Sequence, residues 1–377
     1  MIELSEQTAL EYLRHRGSVS PEGEVLVQSL SGGVANVVLK IMDMNAGEPV
    51  GTDMRTAGQI KRGAPDKRMR SGACFVIKQP LGEFRTAAKW PVDRDRLWVE
   101  RDALVMLRDI LPADSLPTVL WSDSENYVLA ISVAPVGAVN WKKQLLNGQV
   151  DRRAAEAAAE ILVMLHASTM NDAKWAQRFG EPRGFIQQRI DPYLRFVAEK
   201  SKSVAPALRE IETELLGYPK CLIHGDFSPK NMLWRAPAED QSAHLFVLDF
   251  EVVFYGNPAF DVATLLNHLL LKAFYLKKRW RSAMIAADYF WQTYRETAPK
   301  AMAAEISESG GRILAALLLA RMDGKSPVEY ITEEDQKNVI RRCATELLLQ
   351  GDHSMDAAID HIAGYLDQGN GPKRVAI

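Results

Sequence analysis

Two short apolar runs, each ending on an acid, constrain this chain more than anything else in it. The first is Cys221-Leu-Ile-His224-Gly225-Asp226, with Asn231 five residues on; the second is Phe246-Val-Leu-Asp249-Phe-Glu251, its Asp249 eighteen residues after Asn231. Apolar runs this short, bounded by Gly, Pro and polar residues, read as buried strands. Yet they interrupt a helical half: residues 152–166 are Ala-rich and strongly helix-forming, and helices over 261–275 and 312–322 follow. Strand, acid, amide, strand, acid is what metal-assisted phosphoryl transfer needs. One carboxylate must orient an attacking hydroxyl and take its proton, while an amide oxygen and a second carboxylate hold Mg²⁺ on nucleotide phosphates. The plain alternative is a β-turn capped by Asp226, with the other polar residues merely at the surface.

The first 135 residues read as strands with one helix. Val25–Leu30 and Val34–Met42 flank Ser31-Gly32-Gly33, a hairpin signal, and Cys74–Lys78 is a further apolar strand. Between them, the insertion 45–71 has no periodicity; from Arg55 to Arg70 it carries six cations against Asp66, which reads as a solvated loop. Residues 93–111 predict a helix whose Leu97, Leu104, Leu107 and Leu111 fall at three- and four-residue spacing. Glu100 lies on that same stripe. A carboxylate on an inward face is costly unless paired, so it asks for a cation. Tyr127–Val133 is another buried strand, and the Pro/Gly break after it marks a boundary between residues 1–133 and 134–377.

The size agrees with two parts, since 377 residues exceed the roughly 150 of a typical domain. With 46 basic and 48 acidic residues, the net charge of −2 gives no bulk argument for nucleic acid. The longest apolar run, Ile313 to Ala320, falls far short of the roughly twenty residues of a membrane span, and the amino terminus lacks a signal-peptide pattern. Three widely spaced cysteines, Cys74, Cys221 and Cys343, fit buried thiols in a reducing compartment. The expectation is a cytoplasmic protein without nucleic-acid or membrane partners.

Taken together, His224-Gly-Asp-Phe-Ser-Pro-Lys-Asn231 and Asp249-Phe-Glu251 resemble the HGDxxxxN loop and DFE/DPE turn of the protein-kinase-like superfamily, in its small-molecule branch of aminoglycoside phosphotransferases, choline kinases and methylthioribose kinases. The resemblance implies an α+β, bilobal protein-kinase-like fold, with a small antiparallel β lobe carrying one main helix and a larger, mainly helical lobe. It implies ATP and Mg²⁺, with Asp226 as catalytic base and Asn231, Asp249 and Glu251 at the metal. Ser31, Gly32, Gly33 and Asn36 resemble the hairpin that covers the phosphates. Lys78 resembles the lysine on the α- and β-phosphates, and Glu100 its helix partner. Ser132 and Val133 fall in what resembles the hinge facing adenine. His224, Asp261 and His166 are implied as structural support, although a helix N-cap would explain Asp261 locally and His166 also reads as a satisfied core histidine.

The expected activity is transfer of the γ-phosphoryl of ATP to a hydroxyl of a small molecule: a sugar, an aminoglycoside or an amino alcohol. A nucleotide-binding pseudokinase or scaffold is the alternative. A protein acceptor is disfavoured, because twelve positions between Asp249 and Asp261 leave no room for a long activation loop. Arg321 and Lys325 could hold an anionic acceptor. Glu333, Glu334, Asp335, Asp352, Asp356 and Asp360 could suit a cationic one, or be solvated helix faces.

Overall fold

The structure, a computed structural model, describes residues 1–30, 35–44, 74–86, 89–239 and 242–370. Ser31, Gly32 and Gly33 of the expected phosphate hairpin, and the insertion 45–71, lie outside them. The chain divides into two compact units: Met1–Met106 with Leu116–Pro135, and Leu107–Ser115 with the chain from Val136 onward.

The first unit is built on β1 (Val25–Ser29), β2 (Asn36–Asp43), β3 (Cys74–Pro80), β4 (Val119–Asp123) and β5 (Val128–Ser132), antiparallel in the order β1-β2-β3-β5-β4. Two helices, α1 (Glu6–Arg16) and α2 (Arg96–Leu107), accompany the sheet. Side chains alternate between the faces of a strand. Leu39 and Ile41, Phe75 and Ile77, and Val128 and Ala130 form one buried cluster with Leu4, Ala9, Tyr12 and Leu13. Val76 and Lys78 therefore project from the opposite face, and both are buried there.

Reading the first half as strands with one helix omits α1. Its capping box joins Ser5 to Thr8 instead of the usual Glu or Gln, and only Ala9, Tyr12 and Leu13 are buried, too few to set a visible period. Helix α2 is shorter than the expected 93–111. It stops at Leu107, where Ile110 and Leu111 donate back to Leu107 O in a turn ahead of Pro112. Its stripe is nevertheless the inward face: Leu97, Glu100, Leu104 and Leu107 are each at most 2% exposed.

The second unit is mainly helical: α3 (Trp141–Leu146), α4 (Arg152–Thr169), α5 (Ala173–Phe179), α6 (Arg183–Phe185), α7 (Phe196–Lys200), α8 (Ala205–Gly217), α9 (Ala259–Leu276), α10 (Trp280–Thr297), α11 (Lys300–Asp323), α12 (Glu334–Leu349) and α13 (Met355–Asn370). Helix α9 packs against α10 and α11 and has almost no polar face, as a central helix should. The stretch Ala259–Thr297 is apolar and long enough to cross a membrane by composition, but 89% of its most apolar window is buried within the fold.

Five short strands run among these helices: β6 (Val139–Asn140), β7 (Cys221–Ile223), β8 (Met232–Arg235), β9 (His244–Val247) and β10 (Phe254–Gly256). The two strands legible in the sequence, β7 and β9, do not pair with each other. β7 pairs with β10, placing Ile223 opposite Phe254, and β9 pairs with β8, placing Val247 opposite Met232. Between α6 and α7, Ile186–Arg195 winds as a π-helix with Pro192 inside it. Proline lacks the N–H that an α-helical ladder would use there, and the wider winding takes its place. Cys221 and Cys343 are buried free thiols as expected; Cys74 is exposed instead, because it only opens β3.

Candidate active site

Strand β7 exits into His224-Gly225-Asp226. Gly225 has φ +73°, and a Cβ there would stand 2.4 Å from Val252 O, so neither conformation nor space admits a side chain. The turn is held from α9. Asp261 Oδ2 accepts from His224 N at 2.6 Å, and Oδ1 accepts from Gly225 N at 2.9 Å. The local N-cap account of Asp261 is thereby corrected. Pro258 holds the cap position, Asn257 Oδ1 accepts from Ala259 N at 3.0 Å, and the fully buried Asp261 faces the turn instead.

His166 of α4 backs this arrangement, with Nε2 3.4 Å from Asp261 Oδ2 and Nδ1 2.8 Å from Tyr294 Oη. It is a buried, satisfied histidine. Asp226 N donates to His224 Nδ1 at 3.2 Å, so the proton sits on Nε2, which donates to Leu248 O at 3.0 Å and ties the two strand exits together. Burial lowers the His224 pKa, against the opposing pull of Asp261 and Asp226. The ring is a neutral strut.

Three donors meet on one oxygen of Asp226. Arg189 Nη2 lies 3.1 Å from Oδ2, Lys230 Nζ 2.9 Å, and Asn231 Nδ2 donates to it at 2.9 Å. Burial would push this carboxyl up, but Arg189 and Lys230 outweigh it and hold Asp226 far below the usual carboxylate range. Arg189 is itself fixed: Nε donates to Gly225 O at 2.6 Å and Nη1 to Gln188 O at 2.7 Å. Sequence reasoning missed Arg189. Its only signal is Pro192 within a run that otherwise looks helical, and nothing local connects that run to residue 225. Lys230 stood inside the quoted motif without a role, although an i, i+4 cation beside an acid is a legible pattern.

Strand β9 leads to the second acid. Leu248 N donates to Asn231 O at 2.8 Å, which fixes the loop beside this exit, and Asp249 follows in the left-handed region at φ 62° and ψ 60°. Glu251 sits in the 3₁₀ turn Phe250–Val252, 8% exposed. Asn231 Nδ2 also donates to Asp226 O at 3.0 Å, so the amide nitrogen is committed and its oxygen is the end left for another partner. An amide oxygen and a carboxylate are hard donors that suit Mg²⁺, which needs few protein ligands when phosphates and water supply the rest. Among the described residues no group of three or more His, Cys, Asp and Glu gathers as a metal cage.

In the first unit, Lys78 Nζ donates to Glu100 Oε1 at 2.7 Å, with side chains 3% and 1% exposed. This is the ion pair that the inward position of Glu100 demanded. Asn36 opens β2 opposite Pro80 and is buried. Ser132 ends β5, where its N–H donates to Thr118 O at 2.9 Å and its Oγ accepts from Thr118 N at 3.0 Å; Val133 follows directly.

The two candidate acceptor cations separate. Arg321 Nη1 donates to Tyr193 Oη at 3.1 Å and Ser326 Oγ at 3.2 Å, on the same tyrosine ring that Arg189 covers. Lys325 places Nζ 5.6 Å from the Phe196 ring. Most of the carboxyl-terminal acids have local partners: Glu333 with Lys277 at 2.7 Å, Glu334 with Arg341, Asp356 with Arg295 at 2.8 Å, and Asp352 with Ser354 N at 2.9 Å.

Residues 100–305 match the family model described as "Phosphotransferase enzyme family" (APH). Methylthioribose kinase from Yersinia pseudotuberculosis serotype O:3 (strain YPIII) is 24% identical over 290 residues, covering 70% of this chain and 63% of that protein. The enzyme of that name from Pectobacterium atrosepticum is 24% identical over 293 residues, covering 70% and 64%. The chain thus spans a little under two thirds of the length of these curated relatives. Among solved structures, the streptomycin–ATP–APH(2″)-IIa ternary complex is 15% identical with a TM-score of 0.47, covering 84% of this chain and 91% of that one. A choline/ethanolamine kinase family protein from Mesorhizobium loti is 13% identical with a TM-score of 0.44, covering 95% and 99%.

Proposed function

The chain belongs to the phosphotransferase enzyme family, and from that premise we propose that it is an ATP-dependent kinase of a small hydroxylated molecule, with Asp226 as the group that receives the acceptor's proton. One observation carries the reading. The contacts on Asp226 converge on Oδ2, from Arg189, Lys230 and Asn231, and leave Oδ1 as the oxygen for an incoming hydroxyl. A carboxylate so well stabilised is a weak base. It suits a loose phosphoryl-transfer transition state, in which positioning matters more than early deprotonation.

In this reading Oδ1 accepts the hydrogen bond of the acceptor hydroxyl and aims its lone pair at the γ-phosphorus. The new O–P bond forms as the bond to the β,γ-bridging oxygen breaks. The hydroxyl proton passes to Asp226 and ADP leaves. Asp261 keeps the turn rigid through the two backbone N–H groups it accepts from. Asn231 and Asp249 would hold Mg²⁺, which when bound neutralises phosphate charge; Glu251 stands close behind them in sequence. Lys78, steadied by Glu100, addresses the α- and β-phosphates in this reading, and Asn36, Ser132 and Val133 are the remaining described residues assigned to the nucleotide. Ser31, Gly32 and Gly33 complete that set in sequence.

The test is ADP release from MgATP across a panel of sugars, amines and hydroxy acids. Asp226→Asn should reduce turnover by at least about a hundredfold, the ordinary contribution of a positioned base, with ATP binding within about twofold of wild type. Wild-type turnover in that variant would remove Asp226 from the role. ATP binding without ADP release, whatever the acceptor, would favour a scaffold instead.

A further inference from the structure

Helix α9 carries His268 and Lys272 four residues apart, hence on one face. Lys272 is 1% exposed, and among the described residues its Nζ donates only to His268 O, at 3.0 Å, on its own helix. Its ammonium also lies 5.4 Å from the Tyr330 ring, which Lys142 of α3 approaches to 5.9 Å. Arg321 lies against Tyr193, its guanidinium 5.9 Å from that ring. Tyr193 links this set to the candidate catalytic turn: its hydroxyl accepts from Arg321 at 3.1 Å, and its ring lies 5.7 Å from the guanidinium of Arg189, the partner of Asp226.

Among the described residues, no acid in this cluster is left to pair with Lys272. Lys142 and Arg321 oppose the charge on Lys272; Glu329 favours it, but Glu329 is already the ion-pair partner of Lys142. Burial first, and then those two cations, bring the Lys272 pKa down to about 7. Arg321 Nε and Tyr330 Oη are likewise buried without a hydrogen-bond partner among the described residues. Keeping a cation out of water with no counter-charge is unfavourable. A methionine would fill the same volume without that cost, so the arrangement makes sense if an anion arrives from outside.

We propose that the acceptor is a small hydroxy acid: its hydroxyl meets Asp226 while its carboxylate is held by Arg321 and Lys272, with Tyr330 and His268 lining the same subsite. This rests on the kinase reading above and adds the charge of the substrate. The acids that would have suited a cationic acceptor are mostly engaged in local pairs, whereas among the described residues Lys272 has no carboxylate as a hydrogen-bond or ion-pair partner. The sign of the acceptor follows from that imbalance.

The experiment uses the intact chain with Mg²⁺ and a nonhydrolysable ATP analogue, followed by thermal unfolding and calorimetric titration, since a bound acceptor stabilises the fold by mass action. Probes come in matched charge classes: glycerate and gluconate, their neutral counterparts glycerol and glucose, the cations choline and ethanolamine, and glycerol 3-phosphate. A hydroxy carboxylate should bind at least tenfold more tightly than its neutral counterpart. Lys272→Met and Arg321→Gln should each erase most of that preference while leaving binding of the ATP analogue unchanged. Equal or better binding of neutral or cationic probes, binding of the phosphate ester alone, no binding by any carboxylate, or a preference surviving in both variants would each overturn the proposal. ADP release keeps the two readings apart. Carboxylate binding without ADP formation from MgATP leaves the anion subsite standing and sinks the kinase reading, whereas ADP formation with neutral or cationic acceptors alone does the reverse.

Discussion

Both acids of the candidate site leave a strand through a left-handed residue, but the chain fills the two positions differently. Before Asp226 the residue is Gly225, where a Cβ would collide with Val252 O. At the second exit it is Asp249 itself, at φ 62°, a conformation that costs a non-glycine residue roughly 1 kcal/mol. Asparagine tolerates the left-handed region at least as well as aspartate, so Asp249→Asn separates conformation from charge. Its stability should stay within about 0.5 kcal/mol of wild type, while Mg²⁺-dependent ATP affinity falls at least tenfold for want of a hard anionic ligand. Denaturant titration and ATP titration with and without EDTA measure the two quantities. An affinity that did not fall would take Asp249 away from the metal.

Elements differ in how plainly the sequence announces them, and the difference is one of redundancy. Helix α2 is legible because Leu97, Leu104 and Leu107 repeat its period, and Glu100 on the same stripe points to Lys78. Strands β7 and β9 are legible because each is an apolar run ending on an acid. Helix α1 repeats nothing, and β6, β8 and β10 span two to four residues, too few for alternation to show. Yet α1 is no ornament, since Leu13 is fully buried against the sheet. Leu13→Ala should cost about 2–5 kcal/mol by loss of contact and an unfilled cavity. Ser5→Ala should cost only about 1 kcal/mol, because it removes a cap and little else. Urea unfolding of the intact chain ranks the two; equal losses would mean that α1 contributes through its end and not through its face.

At the scale of the molecule, the α+β class with strands first and helices after was readable from pattern. The electrostatics were not. A formal charge of −2 conceals the cations gathered near the candidate turn: Lys230 is local to Asp226, but Arg189, Arg321 and Lys272 come from the π-helical segment, α11 and α9. This leaves a mark on global stability. The folded chain disfavours charge on Lys272, whose pKa falls from 10.5 to about 7, so the unfolded chain binds more protons between those values. The penalty is full below pH 7 and fades as pH rises towards 10.5. Lys272→Met should therefore gain stability over wild type, with a gain about 2–3 kcal/mol larger at pH 6 than at pH 9. Chemical denaturation of both proteins at the two pH values checks this, and a gain independent of pH would mean that the ammonium is not desolvated in solution. The π-helical segment also governs which changes of chain length can survive. In a helix each residue is rotated from the last by a large fraction of a right angle or more, so deleting or inserting a single residue between Ile186 and Arg189 would swing Arg189 away from Gly225 O and Asp226 together. Lineages of this chain should accordingly drift in length at exposed connections such as residues 236–239 after β8, while the ten residues from Ile186 to Arg195 keep their number even where their identities change.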